Sequence, residues 1–159
     1  MERLLRTDTN DTILFAQRVL LGAVMIPHGA QKLLGWFGGH GVSATMAHLT
    51  DMGIPAPIAL LVILIESFGA LFLVLGLLSR ASALGIAVVM IGAALTAHLS
   101  HGFFMNWFGS QGGEGFEYHL LALGLALPIV IAGGGRHALD TWLLRRLATR
   151  TERDALATT

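Results

Sequence analysis

A chain of 159 residues that is 54% hydrophobic and only 13% charged is too apolar to hide its surface from water as one soluble domain, in which roughly 25% charged residues are usual. Its formal net charge of +0 supplies no field for nucleic acid. It has no cysteine, which excludes disulfides, thiolate chemistry and Cys-ligated clusters.

The mean hydropathy is +0.69. A bilayer core of about 30 Å is crossed by roughly 20 helical residues, and four stretches are long enough, at about 13–36, 57–78, 82–104 and 117–134. The segment "ASALGIAVVMIGAALTA" (81–97) lacks the polar face that a soluble bundle helix needs. The expected fold is all-α: an antiparallel bundle of four transmembrane helices with short interfacial helices. Length suggests one membrane domain, 1–147, followed by a disordered tail, 148–159.

The first helix opens with "ILFAQRVLLGAV" and continues into "MIPHGAQKLLGWFGGHG". Arg18 lies within the apolar run and no small-x-small cleavage site follows, so it is a poor signal peptide. At 100° per residue Arg18, Met25 and Lys32 share one stripe, and His28 lies a turn before Lys32 on nearly the same face. Gly29 permits close approach beside His28. In the next loop Ser43 is placed to cap a short helix, "ATMAHLTDM", ended by Gly53 and the Pro55/Pro57 pair and lying flat in the outer interface. The second helix carries Glu66, nine residues past Pro57, which matches the depth of His28. Gly69 and Ala70 on it, and Ala83/Ala87 and Ala93/Ala97 on the third, permit tight helix packing. The third helix brings His98 and His101 to its outer end. A loop rich in glycine and aromatics, "FFMNWFGSQGGEGFEYH" (103–119), is able to fold back over the bundle. It leads into Glu117, Tyr118 and His119 at the start of the fourth. After three glycines, "RHALDTWLLRRL" reads as an amphipathic cytoplasmic helix over 137–147.

Arg3, Arg6, Arg80, Arg136, Arg145, Arg146, Arg150 and Arg153 cluster at one end of this layout, whereas loops 37–56 and 105–116 have neither Lys nor Arg. The positive-inside rule then makes both termini cytoplasmic. Trp36, Phe37, Trp107 and Phe108 mark the outer interface and Trp142 the inner one.

An ionisable group at mid-bilayer costs about 2.5–3.5 kcal/mol on insertion scales, so those present must pair, line water or work. His28, Lys32, Glu66, His98, His101, Glu117 and His119 can gather in the outer half of the bundle. Structural readings stand beside the functional one. Arg18 and Glu66 can form a register-setting ion pair, and Lys32 can snorkel to the headgroups. His98 and His101 can be hydrogen-bonded rather than metal-bound. Glu117 can simply favour a helix N-terminus.

The stretches "RVLLGAVMIPHGAQKLLGWFGG" (18–39), "IPAPIALLVILIESFGALFLVLGLLSRASAL" (54–84), "EGFEYHLLAL" (114–123) and "GGGRHALD" (133–140) resemble the DoxX family of small bacterial four-helix membrane proteins. Its pattern maps onto Arg18, His28, Gly29, Lys32, Glu66, Gly76, Arg80, Glu117 and Tyr118. Ala138 stands where family members often have Ser. The resemblance implies a multi-pass protein of the bacterial plasma (inner) membrane. Relatives include the membrane subunit of thiosulfate:quinone oxidoreductase and a partner of soluble enzymes in thiol and oxidative stress.

The functional expectation is a redox-associated membrane subunit, quinone- or thiol-linked, with a polar pocket of Glu66, His28, Lys32 and Arg18 as proton-relay candidates. Glu117, Tyr118, His119 and Trp36 are ligand-binding candidates, and Phe68 and Phe72 are candidate quinone walls. The chain has no flavin or dinucleotide fingerprint, so electrons must come from soluble redox partners or a small reductant. The alternative is a non-enzymatic anchor or assembly partner for soluble redox enzymes. Metal or haem binding through His98 and His101, with His28 and His119, and proton or solute translocation rank lower. The lipid bilayer is the expected surrounding, with a homo-oligomer also open.

Overall fold

A computed structural model describes Leu5, Thr7, residues 9–146 and Thr149, and every regular element among them is helical. The expected tail, 148–159, lies outside the described residues apart from Thr149. Helix α1 spans Thr12–Leu34. The Asp11 side chain accepts the Leu14 backbone N–H at 2.8 Å, capping the helix start. Helix α2 spans Gly41–Asp51. Helix α3 runs continuously from Ala56 to Leu75 and contains a π-helical turn, Ile65–Gly69. Helix α4 runs from Ser79 to His101, with a π-helical turn at Ala94–His98 and a final 3₁₀ turn. Helix α5 spans Glu117–Ala132, and α6 covers 139–146.

Helices stand at the four expected stretches, with ends trimmed for identifiable reasons. Gly35 at φ 73° and Gly76 at φ 68° stop α1 and α3 in the left-handed conformation, which glycine adopts without steric cost. Helix α4 starts earlier than expected because Asp140 accepts the N–H groups of Leu78 and Ser79 at 2.6 and 2.9 Å. The expected cap by Ser43 does not form: α2 starts at Gly41 and has no side-chain cap. None of its residues is buried, as suits a helix lying on the bundle's surface.

Contacts between side chains and backbones define the packing. Pairs 32–66, 29–67 and 18–74 set α1 antiparallel to α3. Pairs 65–85 and 69–82 do the same for α3 and α4. Pairs 98–119 and 80–130 relate α4 to α5, and 25–118 and 18–134 relate α5 to α1. The four helices therefore close a ring around Leu21, Met25, Leu73, Ile86, Ala126 and Ile129.

Helices α1, α3 and α4 are each long and apolar enough to cross a membrane, and only a third of each is buried inside the protein. The outward remainder is apolar: Leu20, Leu61, Val88 and Leu95 are all exposed. Such a surface needs lipid to cover it. Helix α5 is equally apolar but has 16 residues, or about 24 Å of rise.

The α1–α3 seam is the tightest in the ring. A Cβ on Gly29 would lie 2.5 Å from the Glu66 carbonyl oxygen, and one on Gly22 would lie 2.8 Å from that of Ala70. Two glycines on one face of α1 thus let the backbones touch.

Candidate functional site

The close approach at Gly29 delivers Glu66 to α1. Glu66 sits in the π turn of α3, which holds an extra residue per turn and so re-aims its side chains; such turns recur at functional sites. Its carboxylate meets the Lys32 ammonium at 2.5 Å. The Glu66 side chain is only 5% exposed and that of Lys32 27%, so the lysine head turns into the bundle rather than out to headgroups. Ser67 donates to the Gly29 carbonyl at 3.1 Å, which fixes the seam beside the pair.

A file of rings continues from there. His28 lies 5.6 Å from Tyr118, and Tyr118 lies 5.6 Å from His119. His119 lies 4.3 Å from His98. The Tyr118 hydroxyl donates to the Met25 thioether at 3.3 Å. His119 is buried, and its Nδ1 makes no hydrogen bond among the described residues. His98 sits in the π turn of α4 and donates through Nδ1 to the Glu114 carbonyl at 2.8 Å. That leaves its Nε2 as the other proton-exchanging atom. Both π turns therefore carry a member of one polar file, which runs from the Glu66–Lys32 pair to the loop over 102–116.

Not every candidate joins this file. Arg18 is 0% exposed and stands at the opposite end of the bundle, where Glu66 is not its partner. It donates to the carbonyls of Leu73, Val74, Gly134 and Arg136, clamping the end of α3 to the turn after α5. Glu117 accepts the Met105 N–H at 3.2 Å and holds the loop. Trp36 is exposed and packs edge-on against Phe37 at 6.4 Å. His101 lies against Gly113, apart from the His98–His119 contact. Among the described residues no three His, Asp or Glu side chains stand close enough to share a metal ion.

The 102–116 loop folds back on itself. Phe116 donates to the Gly102 carbonyl at 3.2 Å and Glu117 to that of Phe103 at 2.9 Å. Phe68, Gly69 and Phe72 line an apolar groove of about 290 Å³ between α3 and α4. Its walls do not include Glu66, Lys32 or His28. Sequence reasoning missed Ser67 and the two π turns. Ser67 had no signal beyond adjacency to Glu66, and a π turn leaves no period in a single sequence.

The DoxX family model matches residues 13–99. The inner membrane protein YqjF of Escherichia coli (strain K12) is 30% identical over 136 residues, covering 86% of this chain and 95% of its own length. CatD of Bacillus subtilis (strain 168), whose name carries the provisional description oxidoreductase, is 27% identical over 128 residues, covering 80% of this chain and 84% of its own. No solved structure gives a significant match.

Proposed function

Because the chain belongs to the DoxX family of membrane proteins, we propose that it is a redox-associated membrane subunit, quinone- or thiol-linked, whose Glu66–Lys32 pair and neighbouring rings handle protons. The carrying observation is that pair: a 2.5 Å contact between a nearly buried carboxylate and an ammonium, set in apolar helices. Ionised groups held there at a cost of kcal/mol each are a functional expectation. The donor set suits a quinone. Two-electron reduction of a quinone consumes one proton at each ring oxygen, and Glu66, Lys32, His28 and Tyr118 are all proton-exchanging groups. The apolar groove of Phe68 and Phe72 is suited to an isoprenoid tail. The electrons come from a soluble partner or a small reductant. The oxidoreductase description of CatD agrees with this reading.

The test compares native-membrane preparations of the wild type with Glu66→Gln, His28→Gln and Lys32→Met, scored for folded yield, bound quinone and copurifying soluble proteins. Glu66→Gln keeps the shape and removes the charge. It is expected to lower bound quinone or partner recovery at least tenfold while yield falls less than twofold. If all three variants retain quinone and partners at normal yield, the intramembrane charges are structural, and the chain is an anchor for redox enzymes.

A further inference from the structure

The end of the molecule opposite the Glu66–Lys32 pair holds a second constellation that the redox reading does not use. A cleft of about 360 Å³ lies between the start of α1 and α6, lined by Thr9, Arg136, His137, Thr141, Trp142 and Arg145 among its walls. Among the described residues the other arginines at this end are occupied. Arg18 serves four carbonyls, Arg80 donates to the carbonyls of Val130 and Ile131, and Arg146 lies 4.4 Å over the Trp142 ring. The described carboxylates nearby are committed too. Asp11 accepts from Leu14, and Asp140 accepts from Leu78 and Ser79. Arg136 and Arg145, both exposed, thus bring two positive charges to the cleft, and no described carboxylate lines it. Thr9 and Thr141 add hydroxyl donors. Leu139 and Trp142 are large apolar side chains exposed on α6, at the position of a membrane-interface belt.

We infer that this cleft binds the phosphodiester headgroup of an anionic phospholipid, of the phosphatidylglycerol class. Guanidinium groups hold phosphate oxygens through paired N–H donors, and the threonine hydroxyls complete the set. The chemistry is shared with free phosphate, but Trp142 in the cleft wall, with Leu139 exposed on the same helix, adds apolar surface that only a lipid's chains use. Basic pockets of this kind at the ends of transmembrane helices are a known mode of lipid-headgroup recognition.

The experiment is native mass spectrometry of the full chain in detergent with equimolar dioleoyl-phosphatidylglycerol and dioleoyl-phosphatidylcholine. The wild type is expected to retain the anionic lipid preferentially. Each of Arg136→Gln and Arg145→Gln is expected to weaken that preference about fivefold, and the double variant about 25-fold. Arg146→Gln, whose partner is Trp142, is expected to stay within twofold. Equal thermal melting of all variants with phosphatidylcholine alone confirms that they are folded. An excess of inorganic phosphate is expected to leave the bound lipid in place. The inference is overturned if the wild type retains both lipids equally, if the double variant keeps the wild-type preference, or if inorganic phosphate displaces the lipid.

Discussion

Arg18 and Glu66 are both charges buried among apolar helices, and the protein accommodates them by different means. Glu66 meets an opposite charge on the neighbouring helix. Arg18 forms no ion pair among the described residues, although the Asp140 charge acts on it, and it donates to four backbone carbonyls, two of them in the last turn of α3, where Leu73 also accepts the Gly76 N–H. Replacing Arg18 by Met removes a charge whose burial costs about 2.5–3.5 kcal/mol. It also strips up to three carbonyls of donors, since Leu73 keeps the Gly76 N–H, at about 1–3 kcal/mol each when left unsatisfied. The second effect is the larger, so Arg18→Met is expected to destabilise the bundle by about 2 kcal/mol or more. Arg18→Lys offers a single compact head in place of a fork of donors and is expected to recover only part of the loss. Melting in detergent gives the order: wild type, then Lys, then Met. Equal melting of Met and wild type would show that the clamp contributes nothing.

Between elements, the close approach of α1 and α3 is what brings Lys32 to Glu66, so the seam can be tested through its glycines. A Cβ on Gly29 meets backbone atoms of Glu66 and Ser67 at 2.5–2.6 Å, and backbone cannot rotate aside. Gly29→Ala is expected to part the helices, cost about 1–3 kcal/mol and weaken the ion pair. Gly92 on α4 has open space around its missing Cβ. Gly92→Ala is therefore expected to leave stability unchanged or raise it by up to about 1 kcal/mol. A melting comparison of the two variants separates seam sterics from general glycine effects. Much of this seam was legible in the sequence. The stripe of Arg18, Met25 and Lys32 did face the bundle, and depth matching did bring Glu66 to the Lys32 end. A helical stripe reports direction and says nothing of which partner stands at each level. Arg18 lies 14 residues below Lys32, about 21 Å along the axis, so one carboxylate does not serve both. The Asp140 cap on α4 joins residues 61 and 62 positions apart, and the loop role of Glu117 depends on how an irregular loop folds, neither of which a helical period encodes. The carbonyl clamp of Arg18 is a contact of the same kind.

For the molecule as a whole, the two ends differ in charge. Arg80, Arg136, Arg145 and Arg146 stand at one end, and the loops over 35–55 and 102–116 at the other contain no Lys or Arg. The positive-inside rule predicts from this asymmetry that the basic end faces the cytoplasm. A reporter active only in the cytoplasm is expected to be active when fused at either terminus and silent when inserted at Gly109; a silent C-terminal fusion with an active Gly109 insertion would reverse the topology. The Arg18 clamp also sets a timetable for synthesis. Its acceptors on α3 lie 55 and 56 residues later in the chain, and the Gly134 and Arg136 carbonyls 116 and 118 later. At about 5–20 residues per second, the first helix waits roughly 6–23 s for its last acceptors to leave the ribosome. Of the three long spans it is also the least apolar. The first helix made is therefore among the last to be secured, and a nascent chain that stalls before Gly134 leaves it with an arginine only half satisfied, the kind of segment that slips back toward water or is taken by membrane quality control.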